Sequence, residues 1–452
     1  MSPKRWRLAV VMGIMGVLAL LEGSDRPARG LSTLASGPVN ARISDYPQGR
    51  AQAGTLSAGQ RGVAIGSDGV AVAVWSDTRE GRSNIYLAKS RDGGRTFGSN
   101  VRVNDIPGTA GLFGATVALD RHNRAHLVWF DNRDGDYDIY YVGESDRPDG
   151  LTPAVRVNDD KDNPVEADVF GDGEPTSSAD PAFQTLPCLA VDASGVIYVA
   201  WQDYRRNQAD IYFAKSTDGG KTFGRNLRVN DDIGRAGQLY PSLAVDARGT
   251  LYLAWHDFRR GNQDIYFSRS TDGGKTFSRN IRVNDDQGTA GQFNPSLAVD
   301  PEGPVYLAWH DLRNGQADIY FAVSRDGGAT FSPNRRLNDD RGEAYQFHPS
   351  LGVGSRGTVA VAWEDYRNGQ ADIYLTYSRD GGDMFSPNLR INDDRRPADH
   401  LHAALAVGER HELTVIWEDQ RDDRRDGPSL CQPVRCSDVY ASSLPYLQAV
   451  RE

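Results

Sequence analysis

Residues 251–259 read Leu-Tyr-Leu-Ala-Trp-His-Asp-Phe-Arg and contain a Trp-x-Asp-x-Arg motif that occurs seven times in the chain. The tryptophans of the motif lie 54, 72, 54, 54, 54 and 54 residues apart: Trp75, Trp129, Trp201, Trp255, Trp309, Trp363 and Trp417. A period of about fifty residues is longer than that of helical hairpin repeats and suits a four-stranded propeller blade. The spacing therefore predicts a tandem array of seven such units.

Each period contains four short runs that have the composition of strands. In the fourth period they are residues 241–246, 251–255, 264–268 and 280–284. The runs are rich in β-branched and aromatic residues and are separated by turn-forming sequences such as Ala-Arg-Gly and Thr-Asp-Gly-Gly. No apolar pattern with helical spacing extends over more than two turns within the repeats. We therefore predict an all-β fold, a seven-bladed β-propeller of four-stranded antiparallel blades.

The two ends of the repeat region complement each other. The last period lacks its Arg-Val-Asn strand, whereas Ala41-Arg-Ile-Ser-Asp45, Gly49 and Ala58-Gly-Gln60 imitate the Arg-Val-Asn-Asp, Gly and Ala-Gly-Gln pattern that closes other blades. We predict that this N-terminal segment completes the last blade and leaves the ring without free edges. One propeller would then span residues 41–445, after a flexible linker at 24–40 and before a C-terminal tail at 446–452.

The N-terminus has the layout of a signal peptide. Lys4-Arg-Trp-Arg7 precedes fourteen mostly apolar residues, 8–21, which is short for a membrane span. We expect residues 1–23 to direct export to the cell exterior, the cell surface or the periplasm. A retained N-terminal anchor is the alternative, since the cleavage site is poorly marked.

Charge and cysteine content agree with an exported domain. The formal net charge is −10 and there is no basic cluster, which argues against a nucleic-acid partner. Cys431 and Cys436 flank a short segment, and we expect a local disulfide there, because a zinc site would need a second Cys or His pair nearby. Cys188 occupies the position of Ser242 in the repeat and is expected to be a small buried thiol.

The third turn of the period carries the most specific motif, Ser-x-Asp-x-Gly-x-Thr-Phe. It occurs in good copies from Ser90 to Phe97 and in four later repeats. An Asp at this position can accept backbone N–H groups across the hairpin, and the glycines permit positive φ. We therefore interpret the aspartates as structural: Asp92, Asp218, Asp272, Asp326 and Asp380.

In this motif the chain resembles the BNR, or Asp-box, repeat proteins of the sialidase-like propeller superfamily. The resemblance covers nearly all of residues 41–445 and implies a propeller that acts on glycans, with glycoside hydrolysis as the reaction if the protein is an enzyme. The sialidases themselves have six blades and carry an Arg-Ile-Pro motif, an arginine triad, a Tyr/Glu pair and an Asp. This chain has Arg42-Ile-Ser44 in place of that motif, and no three arginines stand out from its repeats.

The Asp and Arg of every Trp-x-Asp-x-Arg motif are too regular to mark one active site. We interpret them as ion pairs and hydrogen bonds that connect the loops of neighbouring blades. The alternative is a ring of repeated sugar or calcium sites.

Two positions of the repeat change along the chain from residues that do not titrate to residues that mostly do. The residue after Trp becomes His256, His310, Glu364 and Glu418, and the residue before the innermost strand becomes Tyr240, Asn294, His348 and His402. Carboxylates with histidines and a tyrosine are suited to acid–base work on a glycosidic bond. We predict Glu364, Glu418 and His348 as catalytic residues. The predicted ligand-binding residues are His256, His310, Tyr240, Asn294 and His402, and a non-catalytic binding surface is the alternative.

Metal binding is a further alternative. His400-Leu-His402 places two imidazoles on one side of an extended segment, with Asp399 adjacent. The acidic connection from Asp160 to Phe183 could form a lid or bind calcium, although it lacks a complete calcium-loop spacing. We assign no metal ligand and no required cofactor, and calcium remains an option.

Together these observations predict a secreted, monomeric propeller that binds a glycan or another polar polymer on its loop-rich face, and that hydrolyses it if the carboxylates are catalytic. The alternative is a non-catalytic extracellular scaffold that binds a protein partner through the same rim. A deep pocket holding Glu364 and Glu418 would favour the enzyme, and a flat, evenly charged rim would favour the scaffold.

Overall fold

The computed structural model describes residues 40–46, 53–56, 59, 61–145, 150–160, 183–301, 303–394, 397–422 and 436–444. They belong to one compact unit, residues 37–452. Their strands form seven antiparallel sheets, six of four strands and one of five, and no helix of the described residues is long and apolar enough to cross a membrane. The predicted all-β, seven-bladed propeller is confirmed.

The blades follow one another along the chain. The strands of blade one are β2 (Ala53–Gly54), β3 (Val63–Ile65), β4 (Ala71–Asp77), β5 (Asn84–Ser90) and β6 (Val101–Arg102). Those of blade two are β7 (Thr116–Leu119), β8 (Ala125–Asp131), β9 (Asp138–Gly143) and β10 (Val155–Arg156). Those of blade three are β11 (Gln184–Val191), β12 (Ile197–Asp203), β13 (Asp210–Ser216) and β14 (Leu227–Arg228). Those of blade four are β15 (Gln238–Val245), β16 (Leu251–Asp257), β17 (Asp264–Ser270) and β18 (Ile281–Arg282).

The remaining blades repeat the same order. Blade five contains β19 (Gln292–Val299), β20 (Val305–Asp311), β21 (Asp318–Ser324) and β22 (Arg335–Arg336). Blade six contains β23 (Gln346–Val353), β24 (Val359–Asp365), β25 (Asp372–Ser378) and β26 (Leu389–Arg390). Blade seven contains β27 (His400–Val407), β28 (Leu413–Asp419), β29 (Asp438–Leu444) and, as its outer strand, β1 (Asn40–Arg42).

The first strand completes the last blade, as the sequence predicted. Strand β1 pairs antiparallel with β29, with Ala41 opposite Ala441. The Arg42 guanidinium lies 2.6 Å from the carboxylate of Asp438, whose side chain is buried. Because β1 pairs with β29, the two ends of the repeat region share one sheet and blade seven has four strands, as most other blades do.

The hydrophobic core lies between the blades. The tryptophan of each motif is fully buried, and residues of blade three such as Cys188 and Phe213 pack against Leu253 and Trp255 of blade four. Cys188 is a free, buried thiol, as expected from its position in the repeat.

The Trp-x-Asp-x-Arg motifs connect neighbouring blades, as we interpreted them. In blade four, Trp255 Nε1–H donates to Asp257 at 2.9 Å, and Arg259 donates to the same carboxylate at 2.8 Å. Arg259 also reaches back to Asp231, in the loop that leads from blade three, at 2.7 Å. Equivalent ion pairs recur around the ring, so these charges are structural.

The turns with the Ser-x-Asp-x-Gly-x-Thr-Phe sequence have the geometry that the motif predicts. Oδ1 of Asp92 accepts the backbone N–H groups of Arg95 and Thr96 at 3.0 and 2.9 Å, and its Oδ2 accepts the Thr96 hydroxyl at 2.6 Å. Hydrogen bonds lower the pKa of Asp92 to about 2, although burial alone would raise it. The turn therefore depends on an ionised aspartate.

A segment of blade one contacts blades on different sides of the ring. In blade four, two residues separate the halves of the inner strand, whereas in blade one Thr55, Leu56, Gly59 and Arg61 lie in a longer segment between the two halves. The Leu56 carbonyl accepts Gly114 N–H of blade two, and the Gly59 carbonyl accepts the Ser296 hydroxyl of blade five at 3.1 Å. Thr55 donates to the carbonyl of His402 in blade seven at 2.8 Å. Contacts with blades two, five and seven mean that Thr55, Leu56, Gly59 and Arg61, which we call the axial plug, lie between blades on different sides of the ring.

The plug corrects one detail of the sequence alignment. Ala53 pairs with Asp77, the position at which Gln238 pairs with Asp257 in blade four. The glycine of Ala58-Gly-Gln60 therefore belongs to the plug and does not reproduce the Ala-Gly-Gln sequence that begins other inner strands. Residues 1–39, most of the Asp160 to Phe183 connection, Cys431 and residues 445–452 lie outside the described residues, so the signal peptide, linker, calcium loop, disulfide and tail remain predictions. The other cysteine of that pair, Cys436, is buried.

Candidate functional site

A β-bulge positions the candidate residues on the inner strands. The pairing of β23 with β24 shifts register between Phe347 and Ser350, and His348 has a left-handed backbone with φ 49°. Four other blades repeat this geometry, at Leu186, Tyr240, Asn294 and His402. The residues predicted to precede the inner strand therefore lie within it, because the strand begins before the bulge. The shared conformation is a feature of the repeat and not of one site.

The bulge residues and the residues after Trp form one continuous arc. Ring contacts connect Tyr240 with His256, Phe293, His310, His348 and His402, with successive centroids 5.1 to 5.9 Å apart. The structure thus brings the predicted residues of blades four to seven together. The bulge residues Tyr240, Asn294, His348 and His402 are partly exposed.

The end of the arc is a cluster of two histidines and two glutamates. His348 Nδ1 lies 2.9 Å from Oε1 of Glu364, and the same oxygen accepts the backbone N–H of His402 at 2.6 Å. His402 Nδ1 lies 3.1 Å from Oε2 of Glu418. We call these four residues the His–Glu cluster; it joins blades six and seven beside the axial plug.

The glutamates of the cluster are buried and the histidines reach the surface. Glu364 and Glu418 are 2% and 5% exposed, whereas the side chain of His348 is 24% exposed. Burial alone would raise the pKa of Glu364, but His348 and His402 lower it to about 2. The pKa of His402 is raised, because its hydrogen bond to Glu418 and the nearby charges outweigh the effect of burial.

The burial of the two carboxylates limits their chemistry. A glycoside hydrolase needs one carboxyl group that is protonated and two that reach the sugar. Glu364 is ionised and enclosed, and Glu418 is held against His402. We therefore expect both glutamates to orient imidazoles, which are the exposed groups of the cluster.

The histidines of blades four and five are enclosed in aromatic surroundings. Burial lowers the pKa of His256 to about 3, and it places the pKa of His310 well below its usual value. Both rings are therefore neutral near pH 7. They support the arc through ring contacts, and the backbone N–H of Asn294 lies 3.5 Å from His256 Nδ1.

The two histidines of His400-Leu-His402 do not form a joint metal site, which corrects that alternative. His400 is fully buried, and its ring contacts the Ala371 carbonyl at 2.9 Å and Asp394 at 3.1 Å. The bulge begins after Leu401, so His402 turns to the two glutamates. Asp399 accepts the backbone N–H of Ala371 at 3.3 Å and belongs to the blade junction.

Sequence reasoning missed two neighbours of the cluster. Phe113 of blade two lies with its ring 6.0 Å from His402, and the Thr55 hydroxyl binds the His402 carbonyl. Neither residue stands at a position of the repeat that changes to titratable residues. The number of residues between Ala53 and Trp75 is larger than between the equivalent positions Gln238 and Trp255, and this longer separation in the sequence could have revealed the plug.

Comparisons with known proteins identify similar folds only. No family model matches the chain, and no curated protein matches it. A polysaccharide lyase of family PL25, an ulvan lyase bound to -[GlcA(1-4)Rha3S]-, superposes with a TM-score of 0.56 at 12% identity, over 83% of this chain and 92% of that one. A protein of unknown function from Dyadobacter fermentans gives 0.52 at 14% identity, over 89% of this chain and 97% of that one.

A Hadza microbial sialidase matches less well, with a TM-score of 0.44 at 16% identity, over 80% of this chain and 73% of that one. No argument rests on that match. The structural neighbours thus include glycan-active propellers, but at these identities they establish the fold alone. Membership of the BNR family stays a prediction.

Proposed function

We propose that the protein binds a glycan along the arc from Tyr240 to His402, and that the glycan is cleaved at the His–Glu cluster. The observation that carries the proposal is the cluster itself, in which two adjacent blades direct titratable side chains to one place. The repeat elsewhere puts Leu186, Gln202 and Phe130 at the same positions, so the fold does not require charged residues there.

The arc has the composition of a carbohydrate surface. It combines the partly exposed ring of Tyr240 with the amide of Asn294 and the imidazoles of His348 and His402. Aromatic faces pack against sugar rings, and polar groups bind the hydroxyls, which is how a few placed polar groups give orientation in ligand sites. An arc across four blades suits a linear polymer of several sugar units.

The cleavage step would use the exposed imidazoles and not the buried carboxylates. His348 and His402 are the members of the cluster that a bound glycan can touch, and the glutamates hold their rings in place. This assignment changes the roles that the sequence suggested for Glu364 and Glu418 from catalysis to positioning. We further propose, from the N-terminal sequence, that the chain is exported and meets extracellular or periplasmic glycans.

A screen of the mature protein against a glycan array and chromogenic glycosides tests the proposal. Uronate-containing and sulfated polysaccharides belong in the panel, because the ulvan lyase was observed with such a ligand. New reducing ends would report cleavage by either reaction, and ultraviolet absorbance of unsaturated uronates would distinguish elimination from hydrolysis. We expect binding by the wild type, and loss of turnover in Glu364→Gln/Glu418→Gln. The control is Glu80→Gln, because Glu80 is an exposed carboxylate of blade one that lies outside the arc and the His–Glu cluster.

A protein-binding scaffold remains the second candidate, because one rim loop exposes an apolar residue. Ile233 is 100% exposed and lines a surface depression together with Phe258 and Arg259. The depression contains no member of the His–Glu cluster. Absence of binding to every glycan in the panel would contradict the proposed function and favour the scaffold.

A further inference from the structure

We propose that His348, Glu364 and His402 bind a divalent transition-metal ion of the zinc class. One donor atom from each of the three residues lies within 4.8 Å of the other two. In the part of the chain that the structure describes, no second group of three His, Cys, Asp or Glu residues meets this condition. The site goes beyond glycan binding, because its metal affinity can be measured without a sugar.

The distances fit a metal ion between the three side chains. His348 Nδ1 is 2.9 Å and His402 Nε2 is 4.0 Å from Oε1 of Glu364. Zinc ligands at 2.0–2.1 Å in tetrahedral geometry are separated from one another by about 3.3 Å. The observed separations lie on either side of that value, so small side-chain rotations suffice to bring the donors to bonding distance.

The donor set selects the type of metal. Two imidazoles and one carboxylate are the ligands of many catalytic zinc sites, in which water or substrate takes the fourth position. Imidazole nitrogen also suits cobalt, nickel and copper, whereas calcium and magnesium prefer oxygen ligands. The cluster is therefore expected to bind zinc or cobalt in preference to calcium.

Glu418 provides the outer carboxylate that such sites commonly contain. Its Oε2 accepts the Nδ1–H of His402 at 3.1 Å, which leaves Nε2 of the same ring available to the metal. A carboxylate on the far nitrogen fixes the tautomer and orientation of a ligating histidine. Glu418 would thus act as a positioning residue, and Glu364 as a ligand.

The site is open on the side of the arc. The His348 and His402 side chains are 24% and 17% exposed, so remaining coordination positions would face solvent. If the proposed glycan function holds, those positions would take hydroxyl or carboxylate oxygens of the sugar, and the two imidazoles would serve cleavage by holding the metal ion. That extension rests on the proposed function, whereas the metal site itself does not.

The test uses the full chain, purified without a histidine tag, stripped with a chelator and titrated with Co²⁺ and Zn²⁺ in the absence of any glycan. The variants take their new residues from other blades, which protects folding: His348→Asn copies Asn294, and Glu364→Gln copies Gln202. The control is His256→Gln, which removes a histidine of the arc but no ligand. Circular dichroism and thermal melts establish that each variant is folded.

We expect the wild type to bind one equivalent of Co²⁺ with the visible absorption of a low-coordinate site, and Zn²⁺ to displace it. His348→Asn and Glu364→Gln should each weaken binding at least tenfold, Glu418→Gln by about 10- to 100-fold, and His256→Gln not measurably. No stoichiometric uptake, or uptake that folded His348→Asn and Glu364→Gln retain unchanged, would overturn the metal site. Metal uptake without any glycan binding would overturn only the proposed function.

Discussion

The backbone N–H of His402 donates to Oε1 of Glu364 at 2.6 Å, across the boundary between blades six and seven. The same bond links blades three and four, where Tyr240 N–H donates to Gln202 at 3.2 Å. At these two boundaries the residue after Trp is therefore an acceptor for the next blade, whether or not it is charged. In blade six this structural position has acquired a carboxylate that also holds two histidines.

This relationship predicts different costs for two substitutions of Glu364. Glu364→Ala would leave the His402 N–H without its acceptor and should lower the free energy of unfolding by about 1–3 kcal/mol. Glu364→Gln retains a side-chain oxygen, as in blade three, and should cost less than about 1 kcal/mol. Urea unfolding in a chelating buffer measures both. Equal losses would mean that the inter-blade bond contributes little.

The axial plug predicts that a side chain at position 59 destabilises the protein. A Cβ at Gly59 would lie 2.5 Å from Oγ of Ser242, and its φ is 63°. Gly59→Ala should therefore destabilise the protein by about 2 kcal/mol. Gly81→Ala is the control: it also has positive φ but meets no atom within 4 Å, so only backbone strain of about 1 kcal/mol is expected. Thermal melts with similar losses in both variants would contradict the plug.

The pairing of β1 with β29 predicts that Arg42→Ala causes a large loss in the free energy of unfolding. Arg42→Ala would leave the buried Asp438 carboxylate without its guanidinium partner, a loss of about 3 kcal/mol. Arg102→Ala removes an exposed pair with Glu80, 37% and 47% exposed at 3.1 Å, and should cost less than about 1 kcal/mol. Chemical unfolding compares the two variants. A smaller loss in Arg42→Ala than in Arg102→Ala would contradict the role of strand β1.

His256 predicts a dependence of stability on pH. Because burial lowers its pKa from 6.5 to about 3, the unfolded chain takes up a proton below pH 6.5 that the folded protein does not. The contribution of His256 is thus complete above pH 6.5 and falls as the pH drops, by up to about 1.4 kcal/mol per unit. The advantage of the wild type over His256→Gln should shrink by about 2.7 kcal/mol between pH 7.5 and 4.5. A constant difference across this range would exclude a neutral buried imidazole.

The hydrogen bonds of the Asp92 turn predict that Asp92→Ala lowers the free energy of unfolding by less than Arg42→Ala does. Asp92→Ala removes the acceptor of two backbone N–H groups and two hydroxyls, and should lower the free energy of unfolding by about 1 kcal/mol. The difference should vanish as the pH falls from about 3.8 towards 2, since the folded pKa is depressed and protonation removes the acceptor. Arg95→Ala, in the same turn, keeps its backbone donor and should have no such effect. Acid titration of unfolding midpoints separates the two.

The sequence predicted the blade number, the four-stranded blades and the closure by residues 41–45. These features repeat, so seven copies of one pattern report the same local physics: alternation for strands, Asp and Gly for turns, and a buried Trp whose N–H requires the neighbouring Asp. The structural role of the motif's Asp and Arg also followed from their regularity. The β-bulge of the inner strands could not be predicted from the sequence, because a register shift depends on the pairing with the partner strand.

The sequence predicted which positions form the candidate site, but not which of their side chains are buried, exposed or in contact. Sequence alone selected the eight candidate residues of blades four to seven, His348, His402, Glu364 and Glu418 among them, since these blades depart from the repeat at two positions. The tertiary structure decided that the glutamates are enclosed and the histidines exposed, because the bulge turns His348 and His402 towards the face and the next blade covers the residue after Trp. It also separated His400 from His402 and placed the axial plug between blades on different sides of the ring. Contacts between blades that are distant in the sequence form only when the ring closes, and therefore no local sequence pattern predicts them.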